Sequence, residues 1–288
     1  MQTCRIVVLG GPAAGKTVFV ASLYHHLWQG TGSFSMRAAT GSMHSDLLAL
    51  GEQLCQGNMP PATQALRHFE FELKHGARTY SLRFLDYPGE LFRKVFYDTA
   101  VDSEEARELY DLSTSADGII ALVDPASMLD GTWDIDFALS NLLRFYSSEG
   151  RNRPKMVIAF TKRDKTEALV GHRVASFVNR HLPHVASELG RGMRLQHFCS
   201  FIESNGGIKL SQADTIAAPL RSVIDAIEVD DAQKRRDYYM RRLAWQRSLT
   251  AWAIALLALL AIISAFVLGV VCRDSAAKPS DSALTIDE

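Results

Sequence analysis

The sequence predicts an α/β fold: a three-layer domain with a mostly parallel sheet, followed by one C-terminal transmembrane helix. Three observations carry this. Short apolar runs alternate with longer stretches of helical period between residues 5 and 227. A glycine-rich loop joins the first such strand to the first such helix. Residues 249–271 contain no charged side chain.

The elements follow in order. Arg5–Leu9 is the first strand, and Lys16–Trp28 the helix after the loop. Ser33–Ala39 forms a short extra strand, and Ser45–Cys55 has helical periodicity. Phe69–Leu73 and Tyr80–Leu85 read as a hairpin turned at His75-Gly76-Ala77. Ser103–Leu112 is helical, Gly118–Val123 a buried strand, and Asp134–Ser148 an amphipathic helix. Then come a strand at Met156–Phe160, a helix near Val170–Leu182, a strand at Arg194–Phe198 and a helix at Ala213–Ile227. Asp230-Asp231 opens a further helix with a basic end, a charge order that suits the helix dipole. Alternation of this kind places a ligand at the C-terminal edge of the strands.

Residues Gly10–Thr17 read Gly-Gly-Pro-Ala-Ala-Gly-Lys-Thr, a Walker A loop set between strand and helix, as in P-loop nucleotide-binding domains. The N–H groups around Ala13, Ala14, Gly15 and Lys16 can wrap a β-phosphate, with Gly10 and Val18 flanking them. The helix dipole favours the same anion. Lys16 reaches the β- and γ-phosphates, and the Thr17 hydroxyl ligates Mg²⁺.

Two later segments narrow the ligand. Asp86-Tyr87-Pro88-Gly89-Glu90 follows a strand. Asp86 at its tip can hold Mg²⁺ through water, and Gly89, lacking a side chain, lets its N–H approach a γ-phosphate. Without the Walker A loop, the default reading of this segment is a Pro-Gly turn after a strand. Thr161-Lys162-Arg163-Asp164 ends another strand. In a guanine site Asp164 accepts from the base N1–H and 2-amino group, which adenine cannot supply, and the Lys162 stem packs on the base. Taken alone, this tetrapeptide is equally a charged strand-to-helix loop.

These motifs, in this order, resemble the Ras-like branch of P-loop GTPases over about Arg5–Ile227. Asp86–Glu90 and Gly57–Thr63 look more like the bacterial double-GTPase and YcjX-type groups. The resemblance implies that Thr63 is the switch threonine covering Mg²⁺ and the γ-phosphate. From the residues alone, Pro60-Pro61 before it is a stiff non-helical loop. It also implies that Ser200, in Cys199-Ser200-Phe201, backs the guanine carbonyl. Thr161 is a known variant at the first base-motif position. Ras-like enzymes carry Gln after the Gly89 position to orient water, and Glu90 stands there instead. An ionised carboxylate cannot donate a hydrogen bond and repels the γ-phosphate, so slow hydrolysis is expected, with Thr63, Gly89 and Glu90 the residues nearest the chemistry. Arg93 and Lys94 read as solvated charges on a switch helix. Asp124-Pro125 reads as a strand-end turn, and His25 and His26 as surface or packing residues.

The run 249–271 is long enough for a bilayer core of about 30 Å, which needs about 20 apolar residues. Lys234, Arg235, Arg236, Arg241, Arg242 and Arg247 precede it, and only Arg273 and Lys278 follow. The positive-inside rule then puts the N-terminal domain in the cytoplasm. Tyr238, Tyr239, Trp245 and Trp252 suit the interface, and the basic cluster attracts anionic lipid. The expected division is 1–227 GTPase domain, 228–248 basic juxtamembrane helix, 249–271 span, and 272–288 short tail. A net charge of −1 argues against nucleic-acid binding, and four scattered cysteines suit a reducing compartment.

The sequence thus anticipates a single-pass GTP-binding switch, by resemblance in a bacterial inner membrane. Its partners are a guanine nucleotide with Mg²⁺, membrane lipid, and an unnamed effector that the resemblance suggests is a second GTPase. Two alternatives stay open: a docking subunit that holds GTP constitutively, and a membrane-anchored ATPase.

Overall fold

The computed structural model describes residues 4–30, 34–76, 78–129, 134–148, 154–162, 174–189, 194–197 and 213–276. By internal contacts the chain divides into two units, Met1–Glu228 and Val229–Glu288.

The first unit is built on a seven-stranded sheet: β1 (Arg5–Gly10), β2 (Phe34–Ala38), β3 (Arg67–His75), β4 (Arg78–Asp86), β5 (Gly118–Val123), β6 (Lys155–Phe160) and β7 (Arg194–His197). Their spatial order is β2-β3-β4-β1-β5-β6-β7. Only β3 runs against its neighbours, so the sheet is mostly parallel. All six residues of β5 are buried, the pattern of a central parallel strand covered on both faces. The hairpin is longer than the apolar alternation suggests. Its ladder runs from Arg67–Asp86 to His75–Arg78, and opposite charges meet across it, with Glu70 and Arg83 at 3.2 Å.

Two buried clusters flank the sheet. One is filled by α1 (Lys16–Leu27), α2 (Gly41–Cys55) and the first turns of α9 (Ala213–Ala276), including Phe19, Leu23, Leu54, Leu220 and Val223. The other is filled by α3 (Gly89–Phe96), α4 (Glu104–Thr114), α6 (Ile135–Ser148), α7 (Val174–His181) and α8 (Pro183–Leu189), including Phe92, Leu109, Leu142 and Val185. The three layers follow from this.

Caps set several boundaries. Helix α2 begins four residues earlier than its periodicity suggests, because the Thr40 hydroxyl accepts the Met43 N–H at 3.3 Å. Ser103 caps α4 in the same way, through the Ala106 N–H at 3.2 Å. Asp124-Pro125, expected as a turn, opens the short helix α5 (Pro125–Leu129). Pro125 sits at the first helical position, where its missing N–H is harmless. Helix α8 has no counterpart in the sequence reading. Asp136 builds it by accepting the N–H groups of His184 at 2.9 Å and Val185 at 2.8 Å.

In the second unit no new helix opens at Asp230, because α9 is continuous through Ala276. Lys234 pairs with Asp230 one turn away at 2.8 Å. Val229, Tyr238, Tyr239, Met240, Trp245, Trp252 and Leu256 are all exposed. Among the described residues no helix is long and apolar enough to cross a membrane. The backbone of 249–271 is helical, and its side chains other than Trp252 and Leu256 lie outside the described residues, as does the tail from 277.

Candidate functional site

The strand order reverses at β1, and the C-terminal tips of β4, β1, β5 and β6 lie side by side. The motifs end on these tips. Strand β1 leads into the loop 11–15, β4 ends at Asp86, β5 precedes Asp124, and β6 precedes Thr161. This is the crevice in which open α/β sheets bind ligands.

In the loop, Ala13 and Gly15 take left-handed backbone angles, φ 51° and 83°. Gly15 adopts this at no steric cost, whereas Ala13 is held there by its neighbours. The turn aims successive N–H groups at one point, an anion-binding concavity. Gly15 caps α1 without a side-chain bond, so the first N–H groups of α1 stay open to a ligand. Val18 sends its side chain into the core and can serve a nucleotide only through its N–H.

Lys16 is buried and donates from Nζ to the Gly11 carbonyl at 3.1 Å. Its ammonium lies 4.5 Å from the centre of the Tyr87 ring. Burial pulls Lys16 down to about 8, against the Asp86 and Glu90 carboxylates, which push it up. The loop therefore holds a cation whose charge is poorly solvated until an anion arrives.

Three residues predicted as metal ligands converge. Asp86 Oδ1 accepts from Thr17 Oγ1 at 2.8 Å and from Thr63 Oγ1 at 3.0 Å, and the two hydroxyls are 3.2 Å apart. One carboxylate and two hydroxyls are a hard oxygen set, which fits Mg²⁺ shared with substrate phosphates. Among the described residues no group of three or more His, Cys, Asp or Glu could hold a metal. Thr63 reaches this cluster from an irregular loop, across 46 residues from Thr17.

Gly89 is buried and begins α3. A Cβ there would lie 2.2 Å from Pro12 Cα, so the segment Asp86 to Glu90, the second loop of the site, rests directly on the phosphate loop. Glu90 is exposed in the first turn of α3. Arg93 lies 3.9 Å from Asp98, and Lys94 lies 2.6 Å from Asp102, so both engage local carboxylates.

At the tip of β6, Thr161 is buried and donates both its N–H, at 2.9 Å, and its hydroxyl, at 3.3 Å, to the Val123 carbonyl. It ties the end of β6 to β5. Lys162 has φ 56°, and its Nζ lies 2.5 Å from Asp124 Oδ2. Asp124 is buried, and its other oxygen accepts the Ala126 N–H at 3.0 Å. Asp124, expected in a strand-end turn, caps α5 and also holds Lys162. Asp164 and Ser200 lie outside the described residues. Tyr87 was not singled out by sequence reasoning, and an aromatic between Asp and Pro-Gly carries no signal that would have found it.

A family model described as Double-GTPase 1 matches residues 7–186. The chain is also similar to a bacterial selenocysteine-specific elongation factor, EF-Sec, solved by crystallography. That match is 15% identical, covers 78% of this chain and 29% of the other, and has a TM-score of 0.41. No curated protein matches the chain.

Proposed function

The chain belongs to the double-GTPase 1 family, and on that premise we propose that it is a membrane-anchored GTP-binding switch with slow, Mg²⁺-dependent hydrolysis. The observation that carries this reading is the cluster of Thr17, Thr63 and Asp86 beside the open helix terminus of the phosphate loop.

The loop N–H groups bind the β-phosphate, and Lys16 exchanges the Gly11 carbonyl for phosphate oxygens. Thr17, Thr63 and Asp86 would hold Mg²⁺, which when bound neutralises charge on the β- and γ-oxygens. Thr63 stays in place while a terminal phosphate and metal need its oxygen, and its loop is released when they leave. On the base side, Asp164 reads guanine, Lys162 packs on the base, and Ser200 backs its carbonyl. Glu90, exposed, stands where Ras-like enzymes carry Gln and lacks the amide N–H that orients water, which makes hydrolysis slow. The same residue favours the second reading, a docking subunit that keeps its GTP.

The apolar run 249–271, the cations that precede it and the exposed Tyr238, Tyr239, Trp245 and Trp252 support a single-pass anchor, with the nucleotide domain on the cytoplasmic face of a bacterial inner membrane. The nucleotide-dependent loops would then present to an effector held at that surface, such as a second GTPase.

The test is affinity of the full chain, in lipid nanodiscs, for GTP, GDP and ATP, with and without Asp164→Asn. Guanine preference in the wild type, redirected toward xanthine nucleotides in the variant, is expected. Equal affinity for ATP and GTP, unchanged by the substitution, would move the chain to the membrane-anchored ATPase.

A further inference from the structure

Strand β1 is paired on both sides, but not over its whole length. Its ladder with β5 continues to Gly10–Leu122. Its ladder with β4 is registered only over Arg5–Ser81, Ile6–Leu82 and Val7–Arg83. Strand β4 continues to Asp86, but beyond Val7 no residue of β1 is registered with it, and Gly10 is buried. A buried peptide group without a partner is destabilising, and one is expected at the residue that opens the phosphate loop.

Tyr87 fills that place. Its hydroxyl accepts the Gly10 N–H at 3.0 Å and lies 3.2 Å from the Gly10 carbonyl, to which it donates. One side chain thus replaces a missing rung of the sheet. Tyr87 is wholly buried, so these contacts of its hydroxyl are shielded from water. The face of the same ring lies beneath the Lys16 ammonium. Its neighbours fix both ends of the segment: Asp86 belongs to the Thr17–Thr63 cluster, and Gly89 rests on Pro12.

We propose that Tyr87 is a positioning residue of the nucleotide site: its hydroxyl pins the first residue of the phosphate loop, and its ring carries the Lys16 ammonium until phosphate replaces it. The proposal rests on the nucleotide-site reading above. It assigns the second loop a fixed floor from Asp86 to Gly89, and leaves the Thr63 loop as the part that responds to the terminal phosphate.

A role confined to folding would weaken every ligand alike. A positioning role acts on the β-phosphate, which the loop and Lys16 hold, and not on the base. The measurement is therefore the ratio of GDP to GMP affinity at 25 °C, by competition, in the full chain. Tyr87→Phe keeps the ring and loses the hydroxyl. Tyr87→Leu loses both. Leu109→Ala, in the buried cluster on that side of the sheet, is the control for general destabilisation. The ratio should narrow about tenfold in Tyr87→Phe, further in Tyr87→Leu, and not in Leu109→Ala.

An unchanged ratio in Tyr87→Phe, or equal narrowing in Leu109→Ala, overturns the role of the hydroxyl. A Tyr87→Leu ratio equal to that of Tyr87→Phe overturns the role of the ring. A wild-type protein with no preference for GDP over GMP overturns the nucleotide-site reading itself, and this proposal with it.

Discussion

Gly89→Ala tests the contact between the two loops, because structure and propensity predict opposite signs for it. Gly89 is the first residue of α3. At an unhindered helical position, Ala in place of Gly stabilises by about 0.5–1 kcal/mol. Here the added Cβ would lie 2.2 Å from Cα and N of Pro12 and 2.7 Å from the Gly11 carbonyl carbon. These are backbone atoms, so no rotamer change relieves the clash. The loops must part by about 1.2 Å to turn 2.2 Å into an ordinary 3.4 Å contact. Overpacking of this kind costs about 1–3 kcal/mol. A displacement of about 1 Å at a positioning element costs about 100-fold in function. The variant should therefore melt lower, by about 2–4 °C for each kcal/mol lost. It should also lose about 100-fold in GDP affinity. The assays are thermal melting and nucleotide titration on the same preparation. A variant that melts higher than wild type and binds GDP normally would refute the close packing of the second loop on the phosphate loop.

Two further perturbations are worked from single contacts. Asp124→Asn keeps an oxygen to cap the Ala126 N–H but removes the charge that holds Lys162; guanine-nucleotide affinity should fall several-fold with little change in melting temperature, and a large loss of stability with normal affinity would make the pair purely structural. Glu228 receives the Tyr80 hydroxyl, with Arg78 and His75 close by, and these hold its carboxyl below the ordinary range, Tyr80 first. A depressed carboxyl contributes stability above its unfolded value and loses it as pH falls through the folded one. The stability advantage of wild type over Glu228→Gln should therefore be present at about pH 6 and fade toward about pH 3; an advantage independent of pH over that range would exclude the charge as its source.

What could be read from the sequence and what could not divide along a physical line. The phosphate loop was legible because a phosphate is bound by consecutive N–H groups, so Gly10–Thr17 carries the information in one stretch. The central strands were legible because burial on both faces leaves an apolar run such as Gly118–Val123. Thr17, Thr63 and Asp86 were nameable from separate segments, with Thr63 supplied by resemblance alone, since a proline-stiffened loop does not announce where its hydroxyl ends. The convergence of Thr17, Thr63 and Asp86 on one oxygen is a fact of packing. Helix α8 was missed because its start signal acts through space, Asp136 accepting from another helix; α5 was missed although Asp124 caps it locally, because Asp-Pro at a strand end also opens a turn and five residues show no helical period. The sequence by itself determined the ligand class, the α/β layering and the apolar C-terminal run. Only the tertiary structure decided that Tyr87 completes β1 and that Asp124 holds Lys162. Those partners lie 77 and 38 residues apart, and they meet only because β4, β1, β5 and β6 are laid side by side in an order that local periodicity does not encode.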